Sequence, residues 1–187
     1  MPKHFIYPIY TGILALLTFA LVPRKEIRRL AIYAIVFGGL TDVLAILLFT
    51  KVLGMGGYIN FAYFGAFGIP LFPPIAWTAY YILFLYFMPQ NKPWKYIFPV
   101  IAGCFSLYFS YFLQEIGIFR WNYGSPVLHL LIIYLPWECS VAWIYLRTIK
   151  GKTNKRRLPK HYFAVPAPAM KNKHAKRTVP LVKPKKL

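Results

Sequence analysis

Long apolar runs alternate with short stretches rich in charge, glycine or proline, and this alternation predicts membrane-crossing helices. A helix needs about 20 mostly apolar residues to cross a hydrocarbon core of roughly 30 Å. Runs suited to that task cover 5–22, 30–54, 70–88, 96–113 and 126–146. The second reads LAIYAIVFGGLTDVLAILLFTKVLG and carries Asp42 near its middle. Gly38, Gly39 and Ala45 lie one helical turn from Asp42 and share its face. A small-residue stripe beside a carboxyl predicts close packing against a neighbour that gives the carboxyl a partner.

The other runs carry their own punctuation. Pro70, Pro73 and Pro74 open the third, where proline is tolerated in a helix's first turn. In the fourth, Gly103, Ser106, Ser110 and Gln114 recur at helical spacing, a packing face or one wall of a polar cavity. Pro136 lies inside the fifth and predicts a bend beside Glu138. The segment 58–69, YINFAYFGAFGI, has no charge and is expected to lie in the headgroup region or to re-enter the membrane under protein cover.

Composition supports the same reading. The chain is 58% hydrophobic and only 14% charged, where soluble domains hold about 45–50% and about 25%. Its mean hydropathy is +0.48. The net charge of +19 would point to nucleic acid in a soluble protein, but its placement argues otherwise. Fourteen of the 23 Lys and Arg follow Leu146, and most others fall in Pro23–Arg29 and Pro89–Lys95. Basic blocks on one side of alternating spans are the positive-inside pattern, which predicts an outer N-terminus and a cytoplasmic C-terminus. One Lys before the first run and a basic block after it predict a retained helix rather than a cleaved signal peptide.

The expected fold class is therefore all-α, a transmembrane bundle of five spans in residues 1–147. A basic, Pro- and Lys-rich tail, 148–187, is expected to be disordered and to attract anionic lipid headgroups. The bacterial cytoplasmic membrane is the expected location. Cys104 and Cys139 are expected as buried packing residues. No metal or cofactor signature and no catalytic motif is present, and nucleic acid is not expected as a partner.

Of the four acids, Glu26 is expected in a solvated loop. Asp42 and Glu138 fall at similar mid-depths and are the candidates for an intramembrane polar site. Two carboxyls at one level can share a proton, a cation or a ligand; alternatively each is protonated and serves as a neutral donor between helices. His129 and Glu138 fall on opposite faces of a straight helix. Lys51, Glu115, Arg120 and His129 are expected near the outer surface as a polar cluster.

The plan resembles small polytopic membrane proteins of endospore-forming bacteria. That likeness rests on five runs, the basic block after the first, and an aromatic outer segment, Phe119-Arg120-Trp121-Asn122-Tyr123-Gly124. It covers most of Phe5–Arg147 and implies no activity. Three functions remain: a non-enzymatic accessory or structural protein with a partner membrane protein; an oligomeric transporter or lipid/ligand-binding protein using Asp42 and Glu138; and an enzyme acting on a lipid.

Overall fold

A computed structural model describes residues 2–148. The disordered tail expected after residue 147 lies outside the described residues, apart from Thr148, which ends the last helix. The described chain is helical for most of its length, with helices α1 (Lys3–Leu21), α2 (Arg24–Val52), α3 (Phe72–Phe87), α4 (Trp94–Glu115) and α5 (Pro126–Thr148). All but α3 are long and apolar enough to cross a membrane. At about 1.5 Å per residue, the 16 residues of α3 reach only roughly 24 Å, short of the span expected over 70–88.

The start of α2 differs from expectation for a physical reason, and proline and serine shape the starts of α4 and α5. The block Arg24–Arg29 is helix, not loop: Pro23 is extended, α2 starts at once, and Glu26 in its first turn pairs with Arg29 at 2.5 Å. This gives α2 its 29 residues and carries the basic turns beyond the apolar stretch. Pro99 sits inside α4, in its second turn. Ser125 caps α5 by accepting from the Leu128 amide at 3.3 Å, with Pro126 in the first turn, where a missing donor costs least.

The bundle has an end holding Arg24, Lys92 and Arg147 and an opposite end made of the two long connections. We term these the basic end and the β end. The β end is not purely helical and adds two short strand pairs to a chain that is otherwise mostly helical, as expected. Strand β1 (Gly56–Tyr58) pairs antiparallel with β4 (Phe119–Trp121), and β2 (Gly65–Ala66) with β3 (Ile69–Pro70). Further hydrogen bonds extend the first pair, from Asn122 N to Met55 O at 2.9 Å and from Ile59 N to Ile118 O at 3.0 Å. Backbone groups held among apolar side chains must find partners, and two connections far apart in sequence supply them to each other. Gly56 has φ of 137°, and a Cβ there would strike the Arg120 carbonyl. Tyr7 of α1, fully buried, donates its hydroxyl to the carbonyls of Ile59 and Ile118 at 2.6 and 2.7 Å and ties both connections to the bundle.

The core lies around α3, which packs along α1 and α2. Ala76, Ala79, Tyr81, Ile82, Phe84 and Leu85 of α3 are buried, with Leu30 and Ala34 of α2 and Val141 and Ala142 of α5 beside them. Outward faces stay apolar, with Leu16 at 70% and Ile32 at 71% exposure, as lipid-facing surfaces require. Cys104 and Cys139 are on those outer faces, not buried as expected. Cys104 lies roughly opposite Ser106 around its helix and Cys139 about 100° from Glu138, so the polar residues that claim the interior turn both thiols outward.

Gly38 and Gly39 set the α2–α3 approach. A Cβ on Gly38 would come within 2.5 Å of the Trp77 carbonyl oxygen, and one on Gly39 within 2.7 Å of the Thr78 hydroxyl. The obstacle at Gly38 is backbone, which cannot swing away. Gly38→Ala should lower unfolding stability in detergent by about 1–3 kcal/mol, the usual cost of overpacking. Gly12→Ala, where a Cβ meets nothing within 4 Å, should leave it unchanged or raised. Equal responses of the two variants would remove the close approach as a determinant of the fold.

Candidate functional site: a two-carboxyl cavity within the bundle

Asp42 and Glu138 come from α2 and α5, and both line one cavity of about 370 Å³. That volume lies within the range of small-molecule sites. Most of its wall is aromatic or aliphatic: Phe37 and Phe49 from α2, Trp77 and Tyr81 from α3, Phe119 from β4 and Trp137 from α5. No lining residue is Lys, Arg or His.

Each carboxyl is held by one oxygen. Asp42 Oδ1 accepts from the Tyr58 hydroxyl at 3.3 Å, and Tyr58 in turn accepts from Trp77 Nε1 at 3.0 Å. Glu138 Oε1 accepts from Ser106 Oγ at 3.1 Å and from the Tyr80 hydroxyl at 3.2 Å. The second oxygens, Asp42 Oδ2 and Glu138 Oε2, are shielded from solvent and receive no hydrogen bond of normal geometry, with the Tyr81 hydroxyl the protein donor that faces Glu138. Glu138 as a whole is only 1% exposed, so its free oxygen is a costly arrangement for the protein alone.

Backbone geometry aims these groups. In α2, widened π-type turns over Ile35–Leu40 and Ile46–Val52 bracket the short α-helical stretch holding Asp42. Thr41 follows the wider register by donating to the Val36 carbonyl at 2.9 Å. In α5 a similar turn over Leu130–Tyr134 precedes Pro136, whose missing amide and bulky ring a normal turn would not accommodate. The expected bend beside Glu138 thus takes the form of a widened turn. Such turns often accompany functional sites, and here both carboxyl-bearing stretches adjoin them.

The cavity is a gap between α2 and α5. Phe37 and Trp137 meet edge to face, centroids 6.4 Å apart, and close it toward the basic end. The paired β1 and β4 form its other end through Gly56, Gly57, Phe119 and Trp121. Between these, Ile132, Pro136 and Ser140 line the cavity while remaining exposed, spaced four residues apart along α5. Opposite them stand Thr41, Ala45 and Phe49 of α2. The mouth therefore opens on the flank of the bundle, where the flanking Leu40, Leu44 and Leu131 are also exposed.

The outer cluster is not assembled. Lys51 turns its ammonium to Gly68, Glu115 and Arg120 are exposed, and Arg29–Glu26 is the only ion pair among the described residues. His129 is 1% exposed and stacks on Trp121, centroids 3.8 Å apart. Its Nε2 lies 3.0 Å from the Tyr123 carbonyl, which can only accept, so Nε2 carries a proton; Nδ1 lies 3.0 Å from the Tyr111 hydroxyl. Both ring nitrogens are used inside the fold, which makes His129 a strut of the β end. The polar stripe of α4 divides its work. Gly103 contacts Leu135, Ser106 holds Glu138, and Gln114 Oε1 accepts from the Trp121 amide at 2.8 Å.

Sequence reasoning missed Tyr58, Trp77 and Tyr80 as partners of the acids. Tyr58 reaches Asp42 from a connection instead of a neighbouring helix, and no periodicity carries that information. No protein-family model matches the chain, and neither the curated proteins nor the solved structures compared with it include a match.

The two carboxyls differ in redundancy. Tyr58→Phe strips Asp42 Oδ1 of its donor and Trp77 Nε1 of its acceptor, and should cost about 1–3 kcal/mol in a detergent unfolding titration. Tyr80→Phe leaves Ser106 on Glu138 and should cost less, about 0.5–1.5 kcal/mol. The reverse order would mean that the Tyr58 bridge is not holding Asp42.

Proposed function

We propose that the protein is an integral membrane binding protein that takes an amphipathic molecule sideways from the bilayer into the cavity between α2 and α5. The observation that carries this reading is the pair of one-sidedly bonded carboxyls, from different helices, in a single aromatic cavity with a flank opening. An accessory or structural role accounts for the packing of α3 but supplies no partner for Asp42 Oδ2 and Glu138 Oε2. A lipid enzyme is disfavoured by the dispersal of Lys51, Glu115, Arg120 and His129, which leaves no acid–base pair at the outer surface.

In this reading α3 is a fifth span. It packs parallel to α1 and antiparallel to α2, and a bilayer thins or protein fills in around a short span at modest cost. The N-terminus and the β end lie outside and the basic end faces the cytoplasm, so that every basic block is on one side. Tyr63 and Phe67, exposed at 94% and 98%, project from the β end at headgroup level. At the basic end Arg147 lies over the Trp143 ring at 4.0 Å, a cation–aromatic pair suited to the opposite interface. Transport would require the Phe37–Trp137 contact or the β1–β4 pair to open as well, and a second copy of the chain is not needed to complete the cavity.

The test is native mass spectrometry of protein extracted gently with its own lipids, beside Ala45→Trp, which places an indole in the mouth without touching either acid. The wild type should carry a small amphipathic adduct, and the variant should lose most of it. A bare wild-type chain, or equal occupancy in both, would end the binding reading and favour the accessory role.

A further inference from the structure

We infer that the cavity selects an organic cation, a protonated amine on an apolar body, over neutral or anionic amphiphiles of the same shape. The inference rests on the binding reading above and adds the chemical class of the ligand. Four observations carry it.

The first is charge balance. Asp42 and Glu138 line the cavity and no Lys, Arg or His lines it with them. Lys51 of α2 points to Gly68 instead, and Arg147 of α5 lies over the Trp143 ring. A buried carboxylate needs a cation or a proton, and the protein supplies no cation here.

The second is hydrogen-bond arithmetic. The hydroxyls of Tyr58, Tyr80 and Ser106 and the Trp77 Nε1–H are engaged with Asp42 Oδ1, Glu138 Oε1 or Tyr58, and Trp121 Nε1 is the lining donor left buried without a partner. What remains on the two acids is acceptor capacity, at Oδ2 and Oε2. A ligand that fills it must donate. An ammonium brings up to three donors and no acceptor, whereas a carboxylate or phosphate headgroup brings only acceptors and negative charge.

The third is the wall. Ring faces of Trp and Tyr attract a cation most strongly when water is excluded, and Trp77, Trp121, Trp137, Tyr58 and Tyr81 all line the cavity. Carboxyls among aromatic rings combine the two elements that recognise organic ammonium ions. The fourth is the route. The exposed row Ile132, Pro136 and Ser140 lets an alkyl or aryl body remain in lipid while the charged head passes between α2 and α5. Only the head and its first carbons have to fit within 370 Å³.

The experiment uses the full chain in nanodiscs of neutral phosphatidylcholine, with tryptophan fluorescence as readout, since three of the five tryptophans line the cavity. Dodecylamine, dodecanol and dodecanoate serve as probes that share a tail and differ in head charge. Dodecylammonium should bind about tenfold or more tightly than dodecanol, the usual advantage of charge-assisted hydrogen bonds, with dodecanoate weakest. Asp42→Asn and Glu138→Gln should each weaken the amine more than the alcohol and so bring the two affinities together. Ala45→Trp should abolish binding of all probes. Equal affinity for amine and alcohol, tighter binding of dodecanoate, or amine binding indifferent to both neutral variants would overturn the cation inference while leaving an amphiphile site in place. No saturable response to any probe would overturn both. Should a variant fail to insert, the comparison of the three probes on wild-type protein still decides the matter.

Discussion

The close approach of α2 to α3 at Gly38 and Gly39 is the constraint on which the rest of the bundle depends. With no Cβ at Gly38, the backbone of α2 comes against the Trp77 carbonyl. In lipid there is little hydrophobic gain from moving a leucine from acyl chains into a helix contact, so close packing must supply the attraction. Past the tight α2–α3 seam at Gly38, the same flank of α2, bearing Thr41, Ala45 and Phe49, stands apart from α5. The cavity is the space left there. It is prevented from collapsing by the Phe37–Trp137 contact at one end and the β1–β4 pair at the other.

The β end follows from the same physics in another form. Connections packed among apolar side chains cannot leave amides and carbonyls bare, and those of 54–60 and 117–122 answer one another across a short antiparallel ladder. Tyr7 closes the arrangement from beneath by bonding a carbonyl on each side. This ladder also delivers Tyr58 to Asp42, so that a rule about backbone satisfaction ends by positioning a side chain in the site. His129, stacked on Trp121 and bonded at both nitrogens, braces the far edge of that ladder.

Two acids in one apolar cavity are held asymmetrically in different ways. Asp42 depends on a single hydroxyl from a connection, whereas Glu138 is cradled by α3 and α4 together. Breaking a connection costs less than separating packed helices, because fewer buried apolar contacts hold it. The Asp42 side is consequently the more adaptable wall, and the Glu138 side the fixed one. Widened turns next to both acids place backbone and side chains where a regular helix would not.

Hydropathy and charge alone determined the class of object, its helical runs, the side on which basic residues gather, and the two acids that stand out in apolar surroundings. Those features depend on local composition, because transfer to lipid is additive along a segment. The glycine pair at 38–39 and the α4 stripe were also legible, since small residues at helical spacing mark close contacts. Only the tertiary structure decided that α2 starts at Arg24, that two connections pair as strands, that Cys104 and Cys139 face outward, and that the expected outer cluster disperses. It alone brought Asp42 and Glu138 to one cavity and gave them Tyr58, Tyr80 and Ser106. Those partnerships join residues up to 58 positions apart. They depend on the rotation of each helix about its axis, which packing sets and which no pattern along a single segment contains.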